Sequence, residues 1–212
     1  MCSIVGSFDI DRVRELTALN AHRGTHSHSF FVVSSKGELI YAYRGMDELQ
    51  IDKHLYAVQE GDYIICHQQA PTTDAKTMAS VHPAEYKGTY LWHNGIIKDK
   101  EVKRLQEDYG TDETWDTALI LKQYYNTNNF DNLDGTFACC MYEDGKLFVF
   151  RNEISPLFYS EEGDISSTKF TNSVSVKPNT VWRFDPWCLD KLRKTGKTFR
   201  TVENPYYFGA SA

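Results

Sequence analysis

Short apolar and aromatic runs separated by polar and turn residues recur along this chain, interrupted by a few stretches with the period of a helix. Ile10, Val13, Leu16, Thr17 and Leu19 fall on one face of a helix over residues 9–20. Phe30-Phe31-Val32-Val33 and Leu39-Ile40-Tyr41-Ala42-Tyr43 read as strands around the turn Ser35-Lys36-Gly37. Tyr63 to His67 and Thr89 to His93 are two further short strands, each ending at a polar segment of the kind where chemistry is often placed. Residues 98–109 are rich in charged helix formers and predict an exposed helix. Thr111 or Asp112 then caps a second helix reaching about Tyr125, with Trp115, Ala118, Leu119 and Lys122 at helical spacing. Phe137 to Tyr142 and Lys146 to Phe150 flank Glu143-Asp144-Gly145, a strong hairpin signal, and 157–160, 164–170 and 181–184 continue a block of strands. Two helices between two groups of strands predict an α+β sandwich.

Length and composition narrow the class. A chain of 212 residues with 41% hydrophobic and 25% charged positions has the profile of a soluble globular protein, and a single domain over 1–212 is expected. No apolar run approaches the ~20 residues of a membrane span, and no signal-like segment precedes residue 20. The net charge of −6 argues against a general nucleic-acid surface. The local basic group Lys191, Arg193, Lys194, Lys197 and Arg200 reads as a solvated charged turn. Five cysteines, an odd number without metal-type spacing, point to a reducing, cytoplasmic setting. Cys139 and Cys140 read as inert packing in a buried strand. The aromatic segment 204–208 is expected to dock on the domain or a partner, with simple packing favoured.

Cys2 is the main chemical signal. Removal of Met1 would place a thiol and a free α-amino group on one residue, and an α-amine titrating near ~7.7–8.0 can act as general base for the thiol. Taken alone, Asn94-Gly95 reads as an ordinary turn leaving a strand; the same pair can also offer a side-chain amide and a backbone N–H to an oxyanion formed by attack on a carboxamide. His67, His82 and His93 are dispersed without zinc-type spacing, and His82-Pro83 reads as a structural loop. A phosphate-cradling loop, a dinucleotide fingerprint and a serine elbow are all absent.

These segments, taken in order, resemble the class II glutamine amidotransferase domain, an N-terminal-nucleophile hydrolase. Met1-Cys2-Ser3-Ile4-Val5-Gly6 is similar to the family's opening, and His22-Arg23-Gly24-Thr25-His26-Ser27 to its Arg-Gly-x-Asp-Ser segment. His93-Asn94-Gly95-Ile96-Ile97-Lys98 resembles the Asn-Gly oxyanion block, and Trp115-Asp116-Thr117 the Ser/Thr-Asp-x element. Leu133 to Ala138, then Arg151-Asn152 with Pro156 to Tyr159, resemble the following blocks. The likeness covers about residues 2–185, leaving a tail over 186–212.

The resemblance implies a four-layer αββα sandwich of two mainly antiparallel sheets flanked by helices. It implies hydrolysis of the glutamine side-chain amide by Cys2, with Asn94 and Gly95 stabilising the oxyanion. Asp116 would bind the substrate α-ammonium, Arg23 would support the site, and Thr72 matches a substrate-contacting position. The chain departs from the pattern at His26, where the family has Asp, and at Gln69, where it has an arginine that clamps the α-carboxylate. As a substrate-binding candidate, Gln69 can donate one hydrogen bond from its neutral amide but cannot form that charged fork. No metal or cofactor is implied. Ammonia would pass to a separate acceptor enzyme, with nucleotide or nucleobase modification as one setting. A hydrolase of a different amide or γ-glutamyl compound, and a non-catalytic binding subunit, remain alternatives.

Overall fold

Thirteen strands and three α-helices account for most of the computed structural model, which describes residues 2–70 and 77–202. One sheet has seven strands. Its centre is β1 (Ser3–Ser7), β4 (Tyr63–Gln69) and β2 (Ser27–Val33), with β3 (Leu39–Gly45) at one edge. Beyond β1 lie the two-residue strands β10 (Ile165–Ser166), β9 (Phe158–Tyr159) and β11 (Val174–Ser175). The second sheet runs β13 (Leu192–Thr198), β12 (Thr180–Phe184), β8 (Lys146–Arg151), β7 (Gly135–Glu143), β6 (Thr89–Ile97) and β5 (Ala84–Tyr86). Neighbouring strands in both sheets pair antiparallel.

The period of two sorts side chains into layers, because successive residues of a strand face opposite sides of its sheet. Ile4, Phe31, Ile65, Trp92, Ala138 and Cys140 meet between the sheets. Val5, Phe30, Ile64 and Cys66 turn outward and pack with Val13 and Leu16 of helix α1 (Ile10–Leu19). Leu91, Phe137, Cys139 and Met141 turn outward from the other sheet and meet α2 (Asp99–Tyr109) and α3 (Asp116–Thr127). The result is helix, sheet, sheet, helix, the expected αββα sandwich. No helix among the described residues is long and apolar enough to cross a membrane.

Four expectations change. The α3 helix begins at Asp116, not at residue 111 or 112, because Glu113 Oε1 accepts the Trp115 N–H at 2.8 Å in a non-helical lead-in. The strand ending at His93 in the pattern continues through Asn94-Gly95 to Ile97, pairing Gly95 with Phe137. The strand expected over 164–170 shrinks to Ile165–Ser166, and Thr168 Oγ1 instead donates to Asn20 Oδ1 at 2.8 Å. The basic segment expected as a turn is the edge strand β13, whose exposed Arg193 and Lys194 discourage further strand pairing. The segment 204–208 lies outside the described residues.

Helix α1 is capped by Asp9, whose Oδ1 accepts the N–H of Asp11 at 2.8 Å. Asp9→Ala should lower the unfolding free energy by about 1 kcal/mol, measured by urea titration, since an N-cap carboxylate contributes roughly that much. No change in the urea midpoint would show that the cap contributes nothing here.

Candidate active site

Cys2 sits immediately before β1, a strand flanked on both sides by β4 and β10 and packed across from β6. Ile4 faces the intersheet layer, so the alternation turns Cys2 toward the same layer. By the same rule Asn94 shares the inward face of Trp92, whereas His93 turns outward with Leu91 toward α3. The fold thereby brings residue 2 to residue 94 across the gap between sheets.

Two donors hold the Cys2 carbonyl. Arg23 Nε donates to Cys2 O at 2.9 Å. Asn94, with its amide oriented to satisfy both ends, donates from Nδ2 to the same oxygen at 2.6 Å and accepts from Arg23 Nη2 at 3.2 Å. The Nδ2 group keeps a second proton beyond this bond. Arg23 ends a short 3-10 turn, and Gly24 follows because a Cβ there would lie 2.3 Å from the Ala70 nitrogen. The Cys2 thiol itself points to Ala70 O at 3.7 Å. Burial lifts this thiol to about 11, a rise that Asp116 reinforces and the Ala70 backbone hydrogen bond and the Arg23 charge oppose. At neutral pH the group is a thiol that needs a base.

Beside this pair lies a cleft of about 350 Å³ walled by Arg23, Asn94, Gly95, Ile96, Thr136, Ile154 and Pro156. That is the lower end of the size range for small-molecule sites. Gly95 is required sterically, because a Cβ would lie 1.9 Å from Thr136 O. Asp116 is fixed at the start of α3: Oδ2 accepts the Ile97 N–H at 3.2 Å and Oδ1 the Thr117 N–H at 2.7 Å. Its side chain is 14% exposed, so the carboxylate remains partly open.

Gln69 is placed differently from the role its sequence position implies. Its amide is built into the frame: Oε1 accepts from Ser27 Oγ at 3.0 Å and Nε2 donates to Ser80 O at 3.1 Å. It also meets His82 Nδ1 at 3.2 Å, so the side chain braces a loop. Thr72 lies outside the described residues.

The three histidines that sequence spacing leaves dispersed are gathered by the fold. His67 stacks on His82 with ring centroids 4.0 Å apart, and His82 and His93 both meet Thr117 Oγ1, at 3.0 and 3.2 Å. Among the described residues no group of three or more His, Cys, Asp or Glu is arranged to hold a metal. No local signal marks this cluster, because its members come from β4, β6, α3 and the loop before β5.

Burial depresses His67 to about 3 and His82 well below the usual histidine range, so both are neutral in the folded chain. An unfolded histidine titrates near ~6.5. The depressed folded values mean that this stability is present above about pH 6.5 and is lost on acidification, by up to about 1.4 kcal/mol per unit for each residue. Urea unfolding free energies measured from pH 7.5 to 5 should fall below pH 6.5, and His67→Asn should make the fall shallower. Identical slopes for both proteins would contradict the assignment.

A family profile described as glutamine amidotransferase domain matches residues 69–173. No curated protein matches the sequence. Among solved structures, the glutamine phosphoribosylpyrophosphate (PRPP) amidotransferase from B. subtilis, complexed with ADP and GMP, aligns with a TM-score of 0.67 at 16% identity. The alignment covers 91% of this chain and 48% of that one. A structure described as the allosteric regulatory enzyme of purine biosynthesis gives a TM-score of 0.64 at 15% identity, over 92% of this chain and 49% of that one. At these identities the two establish the fold, and this chain spans about half the length of each. The matched segment, residues 69–173, is that of a glutamine amidotransferase domain, and the chain shares the αββα architecture of the two solved structures.

Proposed function

We propose that the chain, acting as one cytoplasmic domain, hydrolyses the side-chain amide of glutamine through Cys2 and hands the ammonia to a separate acceptor enzyme. Nucleotide or nucleobase modification is the setting we propose for that acceptor. The observation that carries the reading is the anchoring of the Cys2 carbonyl by Arg23 and Asn94, which holds the nucleophile beside the Asn94–Gly95 edge.

The chemistry follows from the charge state of the thiol. A group near 11 is ionised in only about one molecule in ten thousand at pH 7. Once Met1 is removed, the α-amine of Cys2 takes the thiol proton as sulfur attacks the amide carbon. The second Nδ2 proton of Asn94 and the Gly95 N–H meet the developing oxyanion. Collapse expels the amide nitrogen as ammonia, carrying the proton from the amine, and leaves a γ-glutamyl thioester. Water then attacks the thioester, and glutamate departs as the thiol is restored. Asp116 pairs with the substrate ammonium through the face its internal bonds leave open.

A second reading, hydrolysis of another amide or γ-glutamyl compound, is favoured by Gln69, whose amide is committed internally and carries no charge. A non-catalytic binding subunit is the reading left if Met1 is retained, which intact mass reads directly.

Incubation with a glutamine-like diazo-ketone should add one label at Cys2, and Cys2→Ala should lose both the label and glutamate release. Labelling that persists in Cys2→Ala, or activity confined to other amides, overturns the glutaminase reading. In a chain that keeps Met1, alkylation of Cys2 should be slow at pH 7. It should accelerate about tenfold per unit up to pH 9, because only the thiolate reacts. A flat rate over that range would contradict the buried neutral thiol.

A further inference from the structure

One wall of the cleft has no helix or strand to hold it. Residues 152–156 leave β8 without regular structure, yet Ile154, Ser155 and Pro156 line the cleft together with Asn94 and Gly95. Asn152, 1% exposed, wraps this segment around its own amide. Its Oδ1 accepts the N–H of Ile154 at 3.3 Å and that of Ser155 at 3.2 Å, an Asx turn. Arg151 gathers the carbonyls. Its Nη1 donates to Asn152 O at 3.0 Å, Glu153 O at 3.3 Å and Ser155 O at 3.4 Å, and its Nε to Val176 O at 2.6 Å. Among the described residues, the main-chain hydrogen bonds of Glu153, Ile154 and Ser155 all go to these two side chains.

The same Asn152 amide grips strand β7 on both sides of Thr136. Nδ2 donates to Gly135 O at 2.8 Å, and Oδ1 also accepts the Phe137 N–H at 3.3 Å. The Asn152 N–H closes a ring on Phe137 O at 3.0 Å. Thr136 is the residue against which the Asn94–Gly95 edge is seated: Oγ1 accepts the Ile96 N–H at 3.2 Å, and its carbonyl is what a Cβ on Gly95 would strike. With N–H donors at one end and a carbonyl at the other, the amide has a single orientation. One buried side chain thereby sets where the wall stands relative to the edge.

We propose that Asn152 is a positioning residue that sets the width of the cleft, and that Ile154, carried on the wall it holds, is the specificity contact for the methylene stem of the amide substrate. Ile96, Ile154 and Pro156 give the cleft an apolar lining, which fits a carboxamide at the end of a short alkyl chain. Arg23 and Asn94 hold Cys2 independently of this segment. Gly95 is held by the β6–β7 ladder, which runs from Tyr90–Tyr142 to Ile97–Gly135. Loosening the wall therefore weakens substrate binding before it disturbs the reacting groups. Contacts to the stem are alike in the ground and transition states, so their loss appears in KM. The substrate part of this inference rests on the glutaminase reading, whereas the holding of the wall by Asn152 does not.

Steady-state kinetics and amide hydrogen exchange on the full chain test the two parts. Asn152→Ala should raise KM for glutamine about tenfold with kcat changed less than about threefold. A fall in kcat at unchanged KM, the mark of a smaller active fraction, overturns the positioning role. In the wild type the Ile154 and Ser155 amides should be protected despite their irregular segment, and rapid exchange there overturns the proposal. In Asn152→Ala both should exchange at least about tenfold faster while Trp92 and Cys140 in β6 and β7 keep their protection. Unchanged exchange at 154 and 155 likewise overturns it. Ile154→Ala leaves both grips intact and should raise KM about tenfold, and an unchanged KM overturns the specificity contact. Should Asn152→Ala not fold, that variant and the wild-type exchange rates decide. A wild-type chain inactive on glutamine counts against the glutaminase reading alone, and exchange still decides what Asn152 holds.

Discussion

The carbonyl oxygen of Cys2 is the point on which the site depends. It accepts from Arg23 Nε and from Asn94 Nδ2, one donor from the turn after α1 and one from the opposite sheet. A chain terminus is ordinarily among the most mobile parts of a domain. Here the residue is 7% exposed and tied across the intersheet layer. Without those two bonds the Cys2 thiol, the nucleophile we propose, would have no defined place relative to Gly95, and a misplacement of about 1 Å is enough to cost orders of magnitude in rate.

That anchoring draws on the whole sandwich. Flanked by β4 and β10, β1 has no free edge along which its register can slip. Gly24 allows the Arg23 turn to press against the end of β4, where the His26 N–H donates to Gln69 O at 3.0 Å. Gly95 permits β6 to continue past Asn94 while keeping its backbone against Thr136. Larger residues at either position would separate the layers where the chemistry is assembled.

Beneath the site the structure keeps a group of polar side chains buried. His67, His82, Gln69, Thr117 and His93 are all buried, and their hydrogen bonds are mutual. Such networks are rigid when every member is satisfied and costly when one is not. Among the described residues the His67 Nδ1 atom has no hydrogen-bond partner, which leaves one cost in place beside the network. Loop, helix α3 and strand β6 are held to one another through polar contacts here, where apolar packing alone would permit sliding.

Much was legible from residue order. Short apolar runs located most strands of both sheets, though not the central β1, the Asp144-Gly145 turn marked its hairpin, and Cys2, Arg23 and Asn94-Gly95 stood out by residue type or by likeness to a known family. These are properties of neighbours a few residues apart, where local geometry follows from local chemistry. The sequence alone misplaced the start of α3, where Glu113 takes up the Trp115 N–H in a non-helical lead-in, and mistook β13 for a turn, since that strand exists only through its pairing with β12. It also left the fate of Gln69 open and scattered three histidines over 27 positions. Only the packed sandwich decided that Gln69 braces a loop, that His82 and His93 share the Thr117 hydroxyl, and that His67 stacks on His82. Hydrogen bonds between groups far apart in the chain exist only after the sheets close, and burial then determines which of those groups can carry charge.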